Sequence, residues 1–163
     1  MLDTDVCVHL IRKKSADLLR KLIGYSISDI GISSITVAEL QYGVQKSSRP
    51  MQNRQALDQF LIPLSIVDFD YDAAISYGYI RAHLEAQGTM IGSLDTLIAA
   101  HALSRNVTLV TNNIGEFTRV PGLVIDDWSS SYSDNSLWHH TLVYEKFAYC
   151  QVICITRHKR DPL

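Results

Sequence analysis

The sequence predicts an α/β domain, a central parallel β-sheet flanked by α-helices, over about residues 1–128. Two observations lead there. Short apolar runs of strand length alternate along the chain with longer segments of helical periodicity, and such alternation favours parallel strands covered on both faces. Acidic residues also recur where those strands end, the rim at which parallel sheets collect ligands. A third observation, the chain's 163 residues, fits one domain with a core large enough to need no disulfides.

Taken in order, Met1 and Leu2 form a very short buried strand with Asp3 and Asp5 at its carboxyl end. Leu18, Leu19, Leu22 and Ile23 lie at helical spacing within Ser15–Ile23, and Gly24 is a stop. Ile30–Ser33 reads as a strand, and Ser34 as the cap of a helix over about Ile35–Gln45 with Val37, Leu40 and Val44 on one side. A polar break at Ser47–Pro50 precedes a helix over Met51–Leu61 that Pro63 ends. Ile66–Phe69 is the next strand and Tyr71–Gln87 a long helix closed by Gly88. Ser93–Asp95 opens a helix whose near-continuous apolar content through Leu103 predicts burial on most sides. Val107–Val110 is a buried strand, Thr111–Asn113 a turn, and Leu123–Ile125 the last strand.

After Trp128 the pattern changes. A serine-rich stretch at 129–133 leads into an aromatic and β-branched segment, Phe147–Thr156, and a basic end. Residues 129–163 are expected to form an extension that contributes nothing to the site and packs poorly on the domain.

Composition narrows the function classes. Hydrophobic residues make up 47% and charged residues 20%, with a net charge of −2, which excludes wholesale disorder and a disulfide scaffold. No global basic field marks a nucleic-acid binder, although a local patch can still hold phosphate. No charge-free run reaches the roughly 18 residues of a membrane helix, and no signal peptide is expected from the acidic start. The odd number of cysteines, Cys7, Cys150 and Cys154, points to reduced thiols and a cytoplasmic protein. His139, His140, Cys150 and Cys154 have no spacing that suits structural zinc.

Chemistry concentrates in the acids. Asp3 and Asp5 follow the first strand, Glu39 lies one turn into the helix after the second, Asp95 begins the helix before the fourth, and Asn113 and Glu116 follow the fourth. Each alone suits a helix cap. Gathered on one rim they would repel one another, and a fold that assembles such groups recruits a cation. Oxygen donors without clustered His or Cys favour Mg²⁺, with Mn²⁺ possible, and such an ion activates water for attack on a phosphodiester.

The ordered set Leu2–Asp5, Ser33–Gly43, Asp95–Ala102, Leu109–Asn113, Glu116–Leu123 and Asp126–Trp128 resembles PIN-domain ribonucleases of the VapC toxin type over about residues 1–129. The resemblance implies a PIN-like fold and catalytic carboxylates at Asp3, Glu39, Asp95 and Glu116, with Asp3 and Asp95 holding the metal. Asp5, Thr111 and Asn113 would support them from behind. Asn113 stands where many PIN domains carry a fourth Asp, and Asp5 where the family usually reads Asn. The resemblance further implies an RNA substrate such as transfer RNA, a VapB-type antitoxin and a homodimer, for which the helices over Met51–Leu61 and Tyr71–Gln87 offer apolar faces.

Among basic residues, Arg12, Lys13 and Lys14 are the expected phosphate contacts because they follow Asp3 closely. His9 and His101 are expected to serve packing or surface roles. Two other readings stand beside the nuclease. One is a catalytically impaired relic that still binds antitoxin. The other is a haloacid-dehalogenase-like phosphatase with Asp3 as nucleophile and Asp126–Asp127 as the late acidic pair, though it leaves Glu39 and Asp95 without a role.

Overall fold

The computed structural model describes residues 1–12 and 16–128. Lys13, Lys14 and the extension from 129 onward, with its cysteines and histidines, lie outside the described residues. Helices α1 (Thr4–Ile11) and α2 (Ala16–Gly24) come first, then β1 (Gly31–Ser33), α3 (Ser34–Lys46), α4 (Pro50–Leu61) and β2 (Ser65–Val67). They are followed by α5 (Tyr71–Gln87), α6 (Ser93–Ser104), β3 (Leu109–Val110), α7 (Ile114–Phe117) and β4 (Ile125–Asp126).

The sheet is parallel, as the alternation predicts. β2 pairs with β1, and β3 with β4. Leu2 joins the two halves by bridging Ile32 on one side and Val110 on the other. Its amide donates to the Gly31 carbonyl, while the Asp3 amide donates to Val110, both at 2.9 Å. The strand order is therefore β2–β1–Leu2–β3–β4, and the first residues of the chain occupy its centre.

Side chains alternate across a strand, and the core shows it. Val110, Leu2 and Ile32 join one apolar cluster with Val6, Leu10, Leu40, Leu57 and Trp128. Leu109 joins the other with Ile80, Leu84, Ile98 and Phe117. Both faces of the sheet are thus covered. Helix α6 has Ile98, Ala99, Ala100, His101 and Ala102 all buried, matching its near-continuous apolar sequence.

Several boundaries differ from the sequence reading. Helix α1 was not expected, since Thr4, Val6, Val8 and Ile11 are β-branched and poor intrinsic helix formers. It forms because Asp3 caps it and because Val6, Cys7 and Leu10 bury one face. The cap of α3 is Ser33, whose hydroxyl accepts from the Ile35 amide at 3.1 Å. Ser34 instead accepts from the Phe69 amide at 3.1 Å, tying α3 to the chain after β2. Strand β3 is confined to two residues because Val107 lies outside the sheet, 40% exposed. The last strand pairs through Ile125 and Asp126, starting two residues and ending one residue later than the expected Leu123–Ile125. Helix α5 runs as predicted, and Gly88 ends it with φ +64°, a conformation that glycine adopts without steric cost.

Candidate active site

Asp3 anchors the site. It follows the central bridge, only 4% exposed, and its side chain both caps α1 and faces β3. One carboxylate oxygen accepts from the Thr4 amide at 2.7 Å and the other from the Thr111 hydroxyl at 2.7 Å. The Thr111 oxygen in turn accepts from the Asn113 amide at 3.0 Å. Burial pushes the Asp3 carboxyl above its ordinary range, and Asp5 and Glu39 push the same way, while the Thr111 and Thr4 donors oppose them.

Glu39 comes from the second turn of α3, at the carboxyl end of β1. Its Oε2 accepts from the Thr4 hydroxyl. Thr4 therefore holds the next carboxylate as its amide holds Asp3.

Asp95 is the third residue of α6, which runs back toward β3, so the start of this helix lies at the same rim. Burial, then the charges of Asp3 and Glu116, raise its carboxyl from an ordinary 3.8 to about 6. A proton kept on Asp95 can donate to Glu116. Glu116 behaves oppositely. On α7, its Oε2 accepts from the Gly92 amide at 3.3 Å. That bond, with a second from the Asn113 side chain, holds Glu116 below its ordinary value.

Asp3, Glu39, Asp95 and Glu116 thus converge on one rim, close enough for the other three to raise the proton affinity of Asp95. Asp5 is exposed beside them and acts on Asp3 through its charge. Thr111 and Asn113 hold the acids from behind. Among the described residues no three His, Cys, Asp or Glu side chains stand close enough together to hold a metal ion as they are placed. The donor set is nonetheless all oxygen, and burial together with neighbouring acids raises the proton affinity of Asp3 and Asp95. Both features suit a hard divalent cation, which relieves the repulsion.

Other expected residues fall elsewhere. Arg12 caps the far end of α1, about 13 Å along the helix from Asp3 at 1.5 Å per residue. His101 is buried, with Nδ1 at 2.8 Å from the Ser33 hydroxyl, and desolvation lowers its pKa. It is a packing residue. His9 is half-buried at 3.2 Å from the Asn112 side chain. The Asp126 carboxylate accepts from the Trp128 indole at 2.8 Å, a structural use.

Two residues of the site escaped the sequence reading, Thr4 and Gly92. The first stands inside the Asp3–Asp5 motif, but nothing in a linear sequence pairs position 4 with position 39. The second precedes Asp95 by three residues, the spacing between a helix cap and the residue that reaches back to it. That spacing is a signal that could have been read.

Residues 1–123 match the family model described as PIN domain. The chain is 47% identical over 129 residues to "Ribonuclease VapC2" of Rickettsia felis, covering 78% of this chain and 96% of that protein. It is 44% identical over 128 residues to "tRNA(fMet)-specific endonuclease VapC" of Salmonella typhimurium, with 78% and 96% covered. Among solved structures, DNA-bound VapBC from Salmonella typhimurium superposes with a TM-score of 0.75 at 43% identity, covering 78% of this chain and 96% of that one. The PIN match excludes the phosphatase reading, in which Asp126 would be catalytic. By family model, sequence identity and superposition alike, the chain belongs to the PIN-domain family, among the VapC-type ribonucleases.

Proposed function

We propose that this chain is the toxin component of a type II toxin–antitoxin system, a metal-dependent endoribonuclease neutralised by a VapB-type antitoxin. The gathering of four carboxylates at the sheet rim carries the reading, with Asp3 fastened by Thr4 and Thr111, Glu39 by Thr4, Glu116 by the Gly92 amide, and Asp95 packed against Gly92. Relatives named as ribonucleases, and the solved structures of DNA-bound VapBC from Rickettsia felis and Salmonella typhimurium, support it. Asp3, Glu39 and Asp95 would hold Mg²⁺ or Mn²⁺. Such an ion polarises a phosphodiester and lowers the pKa of a water beside it.

The protein's own part is orientation. Thr111 and the Thr4 amide keep the Asp3 carboxylate in one rotamer, and the Thr4 hydroxyl does the same for Glu39. Glu116, held ionised by the Gly92 amide and Asn113, is placed to accept a hydrogen bond from protonated Asp95 or to orient a water. The RNA is single-stranded or looped at the cut, because an acidic rim needs splayed nucleotides to reach the phosphate. Transfer RNA is the class suggested by the relative named for it. Work as a homodimer in the cytoplasm completes the proposal, and among the described residues no helix is long and apolar enough to cross a membrane.

The test is RNA cleavage by the full chain with Mg²⁺, with EDTA, and with antitoxin added. Cleavage should need the cation, return when Mg²⁺ is restored, and stop with antitoxin. Cleavage that persists in EDTA would refute the metal-dependent mechanism. Antitoxin binding without cleavage under any divalent cation would identify a catalytically impaired relic.

A further inference from the structure

Gly92 caps the start of α6 with φ −53° and ψ 144°. Any residue adopts that backbone, and Ser, Asn or Asp would cap the helix better. The reason for a glycine lies in its surroundings. A Cβ at this position would stand 2.5 Å from the Asp95 Oδ2 and 3.3 Å from its Cγ. Asp95 is the residue whose side chain ordinarily reaches back to the amide of the cap. Here the Gly92 amide donates to Glu116 instead, at 3.3 Å. One residue therefore touches both carboxylates. Its amide fastens Glu116, and its missing side chain is the space that the Asp95 carboxylate occupies. The loop is tied a second time to the segment just after α7, where the Arg119 guanidinium donates to the Met90 carbonyl at 3.4 Å.

We propose that Gly92 is a positioning residue of the site, setting the place of the Asp95 carboxylate by steric allowance and that of Glu116 by its amide. The functional part of this inference rests on the ribonuclease reading above. The overlapping atom is the end of a flexible side chain, so a methyl group at 92 moves the Asp95 carboxylate and leaves the fold standing. A misplacement on the order of 1 Å costs on the order of 10²-fold in rate.

The experiment compares Gly92→Ala with the wild-type full chain and with Gly78→Ala, a control on α5 where a Cβ meets nothing within 4 Å. Gly92→Ala should keep the far-UV circular dichroism of the wild type and, as a poorer helix cap, lower the thermal midpoint by no more than a few degrees. It should lower kcat on the order of 10²-fold, with KM for RNA changed by less than about threefold, and weaken Mn²⁺ binding by calorimetry on the order of tenfold. In an Asp95→Asn background the same substitution should add no further loss of kcat, because the two act as one unit. Gly78→Ala should match the wild type in kcat, KM and Mn²⁺ binding, with a thermal midpoint equal or a few degrees higher, since alanine suits a helix interior better. A crystal structure of Gly92→Ala reads the displacement directly, whether or not the chain cleaves RNA, and should show the Asp95 carboxyl moved by about 0.5 Å or more, the tolerance of an aligned site. An unmoved Asp95 carboxyl overturns the inference, as does a further kcat loss in the Asp95→Asn background. An inactive wild type with a displaced Asp95 in Gly92→Ala would instead refute the ribonuclease reading and leave the positioning role intact.

Discussion

The Thr111 hydroxyl donates to the Asp3 carboxylate at 2.7 Å across 108 residues of sequence, and it is also the acceptor for the Asn113 amide. Thr111→Val keeps the shape of the side chain and removes both bonds. The buried Asp3 carboxylate then loses a donor, a change that costs about 1–3 kcal/mol. Cleavage should fall roughly 10–100-fold, the usual effect of removing a group that orients a metal ligand. Thr111→Ser, which keeps the oxygen, should retain most of the rate. Equal rates for Thr111→Val and the wild type would disconnect this bond from the chemistry.

The carboxylates themselves should rank by placement. Asp3→Ala, Glu39→Ala and Asp95→Ala should each lower single-turnover cleavage on the order of 10²-fold or more. Glu116→Ala should cost less, because Glu116 is the more exposed partner of Asp95 and water can replace it. A Glu116 variant as impaired as the Asp95 variant would place Glu116 in direct contact with the reacting groups.

Stability of the metal-free protein should depend on pH through Asp95. Its folded value of about 6 lies above the ordinary 3.8, so between those values the folded chain binds more protons than the unfolded chain. Stability is therefore lost as pH rises through this window, and the full penalty applies above it. The difference between 3.8 and about 6 is at most roughly 3 kcal/mol. Asp95 is only half-buried, and solvent screening reduces this to about 1 kcal/mol. Urea denaturation should find Asp95→Asn more stable than the wild type near neutral pH, with the gap closing below about pH 4. His101, whose pKa is lowered, titrates in both proteins and drops out of the difference. A gap that is constant with pH would show that Asp95 is not strained by its neighbours.

Trp128 closes the described domain. Its ring stacks on Tyr25 with centroids 5.2 Å apart, and its indole is buried in the first core cluster. Nearby, the Lys21 ammonium donates to the Asp127 carbonyl at 3.0 Å. Trp128→Ala should destabilise the chain by about 3–5 kcal/mol. A chain ending at residue 129 should keep both its thermal midpoint and its cleavage activity. Loss of folding on that truncation would make the extension part of the core.

Legibility of the fold follows the range of the forces involved. Helix α5 and its closing glycine are visible in the sequence because periodicity and a left-handed stop are local properties. The parallel sheet is visible because strand-length apolar runs alternate with helices. Placement of Asp3, Glu39 and Asp95 on one rim follows from the same alternation, since each stands next to the carboxyl end of a strand or the start of a returning helix. Helix α1 was hidden because its β-branched residues oppose it locally, and burial of Val6, Cys7 and Leu10 outweighs that preference.

The contacts that give the rim its chemistry lie beyond any local pattern. Thr4 meets Glu39, Thr111 meets Asp3, and the Gly92 amide meets Glu116, pairs separated by 35, 108 and 24 residues. Each depends on strand register and on how far a helix is rotated about its axis, which packing of both core clusters sets. The residue types at the rim are a property of the chain read linearly. Their mutual distances, and hence the raised proton affinity of Asp95 and the need for a glycine at 92, arise when the sheet closes around Leu2 and brings like charges out of water together.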